Sequence, residues 1–278
     1  MSNDNYAADA RADVNQDGLV NGADILAIRS PDNWNKPVRP TDVPQPPPAE
    51  RQRIVYAGTD QDACALDVRA SNRLVQSADI TSTSHGVMNS AAWKTAGLTL
   101  RDCLIETIGY GIYSECEGLS ILGSRIHAQL RDPIRIAGGR SILVQDCQID
   151  PVSAAVAVRV HDNARDVMFH RVKFRNANPW CADLGEQYRG AGGVVNNVIF
   201  VDCEFQACPQ TVMAVRVRAQ NVVVRNCRGI GFDKALPGAV LVSVERHSCD
   251  PIGCRIEGCS IDGNKQLVGQ RWSDTVVV

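Results

Sequence analysis

With 278 residues, 44% of them hydrophobic, the chain is long enough for one large domain and a small appendage. Its formal net charge of -2 leaves no basic surplus for binding a polyanion, so no nucleic-acid partner is expected, and no apolar run reaches bilayer length. The opening Met1-Ser2-Asn3-Asp4-Asn5-Tyr6 carries neither the basic nor the apolar region of a secretory leader, which points to synthesis in a cytosol.

In residues 13–24, oxygen-bearing side chains stand at loop positions 1, 3, 5, 9 and 12 (Asp13, Asn15, Asp17, Asn21 and Asp24), with Gly18 at position 6. A hard cation needs six or more oxygens and glycine permits the sharp turn, so the spacing is that of an EF-hand-type calcium loop. The stretch resembles a dockerin-type repeat. That resemblance implies calcium held by the side chains of Asp13, Asn15, Asp17 and Asp24, by the carbonyl of Leu19, and by Asn21 through water. A dockerin has two such repeats, whereas residues 31–36 show no second loop. One calcium unit is too small to hold a core of its own, so residues 1–36 are expected to lean on the main domain or on another chain.

Residues 37–50 include Pro44-Gln45-Pro46-Pro47-Pro48, a composition for an extended, semi-rigid spacer. The main domain is expected to run from 51 to 278.

There a repeat takes over. Arg101-Asp102-Cys103, Gln145-Asp146-Cys147, Val201-Asp202-Cys203 and Arg225-Asn226-Cys227 each close an apolar run, as does Gly258-Cys259, while Ser124 and Val172 take the cysteine slot in two further runs. The slots 103, 124, 147, 172, 203, 227 and 259 are separated by 21, 23, 25, 31, 24 and 32 residues. Steps in the low twenties are the length of one β-solenoid coil, and the longer ones carry insertions. Second alternating runs lie between the slots at 111–114, 133–136, 155–160, 211–217 and 239–244, giving two expected strands per coil with Gly, Asn and Asp at the corners. The slot calls for a small, half-polar side chain facing the interior, so its cysteines, part of a total of eleven, are expected to be reduced core thiols.

Over residues 75–265 these lines resemble the right-handed parallel β-helix superfamily typified by pectate lyases. The implied fold is an all-β, right-handed parallel β-helix. This scaffold carries lyases, glycosidases, tailspikes and other virion proteins, so function must be argued from sites. Arg131-Asp132-Pro133-Ile134-Arg135 is similar to the Arg-x-Pro-x-x-Arg segment of pectate lyases but is one residue short. The Asn-Thr-Asp and Gly-His-Gly signatures of polygalacturonase-type enzymes are missing, and 5% aromatic content is thin for a long sugar groove.

Two insertions offer carboxylates. Residues 175–193 hold Trp180, Asp183, Glu186, Tyr188 and Arg189, and residues 229–238 hold Asp233. If both leave the same corner they would wall a groove, where Asp183, Glu186 and Asp233 could pair as in glycoside hydrolysis. The other candidate is an outward row of Tyr113, Arg135, Arg159 and Arg216, with His161 and Arg218 two residues further along. Such a row suits carboxylates of a uronate glycan or an acidic partner surface, and Arg216 could serve a lyase as base. The five histidines show no metal-ligand spacing and are expected to be scattered polar residues.

The expectation for function is a bacteriophage structural protein of capsid-decoration, cement or head-fibre type. It would be a homotrimer made in the host cytoplasm, binding capsid or other virion subunits through its arm. The alternative is an extracellular carbohydrate-active enzyme or a tailspike acting on a glycan.

Overall fold

The computed structural model describes residues 51–152, 156–186, 193–246 and 249–278, apart from the side chains of 176, 177 and 186. The six calcium-loop residues, together with Tyr188, Arg189, His247 and the side chain of Glu186, lie outside the described residues.

The described chain is a parallel β-solenoid of about eight coils. Each coil contributes one strand to each of three sheets: sheet A with nine strands, sheet B with eight and sheet C with nine. The chain visits A, B and C in that order from Gln52–Tyr56 to Val276–Val277, and all its strand pairings are parallel. Every coil thus has three strands rather than the two expected. The apolar line read as one strand turns a corner at the cysteine slot: Asn196–Val201 belongs to sheet C, Glu204–Ala207 to sheet A.

One residue makes that corner. Ser77, Asp102, Gly123, Asp146, Arg171, Asp202, Asn226 and Gly258, each immediately before the slot, all have φ between 50° and 58°. Asp and Asn tolerate this left-handed conformation better than other side chains. The following side chain closes the turn from inside. Cys147 Sγ donates to the carbonyl of Gln145 at 3.1 Å and of Ile121, one coil away, at 3.4 Å. Cys203 does the same to Val201 and Phe169, both at 3.3 Å, and Cys259 to Glu257 and Val224. Ser124 Oγ donates to Leu122 and accepts from the Cys103 N–H. A thiol or hydroxyl fits because it can donate while filling little volume.

Inside, aliphatic rows from the three sheets meet. Where sheets A and C face each other, the rings of Phe169 and Phe200 stack at 4.7 Å, and those of Phe174 and Phe205 at 4.9 Å. All four are fully buried, so truncating one to Ala would cost about 3–5 kcal/mol.

Candidate functional site

Strand alternation on sheet B turns one row outward while its neighbours, such as Ile134 and Ile136, enter the core. Tyr113 pairs with Arg135, Arg135 with Arg159, Arg159 with Asp183, Asp183 with Arg216 and Arg216 with Ser243. The expected arginine row therefore exists, with one member that the sequence reading placed elsewhere. Asp183 is not in a loop insertion, because Trp180–Glu186 is a strand of sheet B. The strand bulges at Gly185, where φ is 91° and a Cβ would meet the Arg218 carbonyl oxygen at 2.0 Å.

Of the first insertion, the turn before Trp180 leads from sheet A into sheet B, as residues 231–239 do two coils further on, while Trp180–Glu186 is itself a sheet B strand and residues 187–192 lie outside the described residues. Asp233 sits exposed on the short 3-10 turn Phe232–Lys234, held in place by Asp262, whose carboxylate accepts from the Gly231 and Phe232 N–H groups at 2.7 Å each.

The row is charged but largely closed to solvent. Asp183 is 0% exposed, Arg218 3% and Arg135 5%. Arg218 Nη2 donates to Asp183 Oδ1 at 2.7 Å, and Arg159 Nη1 lies 3.7 Å from Asp183 Oδ2. Arg159 Nε also donates to Asp132 Oδ2 at 3.1 Å, and Arg135 comes within 3.8 Å of the same oxygen. Burial raises the Asp132 pKa above the usual carboxylate value, against the pull of Arg159 and Arg135.

At the other end of the row, Arg135 Nε donates to His161 Nε2 at 2.9 Å, and His161 Nδ1 faces Asp162 Oδ2 at 2.8 Å. An acceptor role for Nε2 makes the ring neutral with its proton on Nδ1. Burial first and the Arg135 charge second push its pKa down to about 4. His85, also buried, accepts the Tyr110 N–H at Nδ1 and stacks on the Tyr110 ring, with desolvation and then Arg131 lowering its pKa. Arg131 and Arg135 cover that ring at 5.3 and 5.2 Å. Two histidines read as scattered polar residues are thus interior members of one network; nothing in their spacing would have revealed this.

Part of the row remains half-exposed. Arg216 stacks on Trp180 at 4.5 Å and donates to Glu245 Oε2 at 2.9 Å, while Ser243 Oγ holds the other Glu245 oxygen at 3.0 Å. Tyr113 OH donates to Glu115 at 2.6 Å. An aromatic face, a guanidinium and a carboxylate together can bind a polar ligand at the surface. Asp183, by contrast, offers a substrate no accessible oxygen. Among the described residues no group of three or more His, Cys, Asp or Glu side chains is placed to hold a metal.

No protein family and no curated protein matches the chain. Among solved structures, the tailspike protein gp49 from Pseudomonas phage LKA1 is similar at 12% identity and a TM-score of 0.44, over 77% of this chain and 46% of that one. The chain therefore spans less than half of that protein. HetL, a pentapeptide repeat protein from Nostoc sp. strain PCC 7120, is similar at 11% identity and a TM-score of 0.17, over 71% of this chain and 88% of that one. At these scores neither likeness carries an argument about fold or function.

Proposed function

We propose that the chain is a structural protein of a phage particle, of decoration, cement or head-fibre type, in which a stiff β-solenoid body is attached through residues 1–50. The observation that carries this reading is the thiol ladder. Cys103, Cys147, Cys203, Cys227 and Cys259 are all free and hydrogen-bonded to main-chain carbonyls of the solenoid corner. A fold that uses thiols as corner donors suits assembly in a reducing host cytoplasm, where virion proteins are made, rather than oxidative secretion. The sheet B arginines support it too, because most of their charge is balanced within the body. Capsid or other virion subunits are the partners in this reading, and the body forms a trimer.

A second reading, a glycan-binding or glycan-cleaving protein of the tailspike or secreted-enzyme kind, is favoured by the half-exposed Trp180, Arg216 and Glu245 alone. Antibodies against the chain, applied to source-phage particles under the electron microscope, should mark the capsid surface. A stable monomer that releases reducing or unsaturated ends from a polysaccharide panel, with activity lost in Arg216→Ala or Asp233→Ala, would replace the first reading by the second.

A further inference from the structure

The corner slot holds cysteine in successive coils only towards its C-terminal end. Ser124 and Val172 separate Cys103, Cys147 and Cys203 from one another, whereas Cys203, Cys227 and Cys259 follow coil upon coil. Four of these five thiols donate to two carbonyls, one in their own turn and one in the coil before. Cys103 reaches Arg101 and Val75, Cys147 reaches Gln145 and Ile121, Cys203 reaches Val201 and Phe169, and Cys259 reaches Glu257 and Val224. Cys227 donates to its own turn, at the Arg225 carbonyl, and lacks the second bond. Its sulfur lies in contact with the Cys203 and Cys259 thiols. The Cys227 thiol, ahead of burial, raises the Cys259 pKa.

We infer that Cys227 and Cys259 form a redox-modification site, closing to a disulfide that staples the last coil to the body. The register supplies the geometry. Arg225 pairs with Glu257 and Arg228 with Ser260, so the two cysteines are neighbours on adjacent corners. Paired strands lie about 4.8 Å apart, inside the roughly 4.4–6.8 Å that separates the Cα atoms of a disulfide. Cys259 Sγ already accepts the Cys227 N–H at 3.4 Å. Access selects this pair over Cys203 with Cys227, because those two are 2% and 1% exposed while Cys259 is half-buried.

The oxidant is a peroxide. Cys259 Sγ, as thiolate, attacks one peroxide oxygen; the O–O bond breaks, and the hydroxide released takes up the Cys259 proton as water, leaving a sulfenic acid. Cys227 Sγ then attacks Cys259 Sγ; the S–O bond breaks, and hydroxide leaves with the Cys227 proton as a second water. Two thiols lose two electrons and one peroxide gains them. Raised pKa values keep both thiolates scarce, so closure is slow. The site lies where the solenoid is least closed. Its last strands, Arg255–Glu257, Ser260–Ile261 and Val276–Val277, are three, two and two residues long, and Ile261, Leu267, Trp272 and Val277 are only partly buried against the core. The chemistry stands apart from the phage reading. Under that reading a reducing host cytoplasm keeps the thiols open, and the staple closes after release.

Tryptic mapping of the full chain after exposure to dilute hydrogen peroxide, without reductant, tests the inference. Trypsin cuts after Arg225, Arg228, Arg255 and Lys265, so Cys227 and Cys259 fall in peptides 226–228 and 256–265, apart from Cys249 and Cys254. These two peptides should be found joined, and dithiothreitol should release them. In the joined form, hydrogen exchange at the amides of residues 255–261 should slow by about tenfold or more, because opening of the last coil is restrained. Cys259→Ser keeps a small donor in the slot, as Ser124 does, and should show no slowing with peroxide. The inference is overturned if the two peptides stay free or oxidise only to sulfinic acid, or if 226–228 joins the Cys203 peptide or another chain. Joined peptides without slower exchange would overturn the staple as well.

Discussion

Arg218 donates a 2.7 Å hydrogen bond to Asp183 where neither side chain reaches solvent, and the remaining Asp183 oxygen and the Arg218 Nε have no hydrogen-bond partner. A buried ion pair adds little over a well-packed apolar pair, but removing one partner strands the other charge. Asp183→Ala or Arg218→Ala should therefore each cost about 3–5 kcal/mol, read as a lower urea midpoint. The double variant Asp183→Leu, Arg218→Met should recover most of that loss. If either single change proves neutral, the pair is not buried in solution.

Stability should depend on pH through His161. In the fold its pKa is pushed down to about 4 by burial and by Arg135, whereas an unfolded histidine titrates near 6.5. Between these values the unfolded chain binds more protons, so the contribution is full above about pH 6.5 and is lost as pH falls towards 4. The loss is on the order of 2–3 kcal/mol. Asp132, whose pKa is raised, acts in the opposite sense in the carboxylate range: protonation favours the folded state. Urea midpoints measured at about pH 7 and pH 5 should differ in the parent and converge in His161→Gln. The same pH slope in the variant would place the titration elsewhere.

Native thiol chemistry should divide the cysteines by position. Burial pushes the Cys147 pKa up to about 12 and that of Cys254 to about 11, and raises those of Cys103, Cys181 and Cys227. Iodoacetamide should leave these five unlabelled until the chain is denatured, because the thiolate is the nucleophile and none is accessible. Cys208, partly exposed, should label first, ahead of Cys249, whose pKa burial and then Asp250 raise and whose Sγ donates to the Arg218 carbonyl. Peptide mass spectrometry showing early label on Cys147 would contradict the closed ladder.

The corner and the slot were legible in the sequence because Asp-Cys recurs at coil length, and each partner has its own physical reason, a left-handed φ for Asp202 and a thiol donor for Cys203. The split of each line into two strands was not, since a one-residue turn interrupts no apolar pattern. Asp183 was missed because Trp180-Cys181-Ala182-Asp183-Leu184-Gly185-Glu186 has few β-branched residues and a bulge. A signal was present. The row advances by 24 residues from Arg135 to Arg159 but by 57 from there to Arg216, about two coils, and Asp183 stands 24 after Arg159. The buried histidine network left no such trace, because His85 belongs to it only through Tyr110, a loop residue one coil away.

Asp202 gives a direct measure of the corner. Its φ is 53°, and its carboxylate faces His170 Nε2 at 3.6 Å, a contact that lowers its pKa. Asp202→Val places a β-branched side chain in the left-handed region and should cost roughly 1–2 kcal/mol. Asp202→Gly removes the contact without the strain and should cost less. Chemical denaturation of the two variants decides, and equal losses would assign the effect to His170 rather than to the backbone.

Calcium is a proposal of the N-terminal loop alone, and its removal should act locally. If Asp13, Asn15, Asp17 and Asp24 hold an ion, chelation or Asp17→Ala removes the restraint on residues 13–24 just ahead of Ile25 and Leu26. The solenoid closes through its own sheets and core and should keep its thermal midpoint. Protease cleavage within residues 1–36 should accelerate about tenfold or more when the loop is freed. Equal cleavage with and without chelator would mean that no ion restrains residues 13–24, and the calcium reading would fall while the solenoid fold stands.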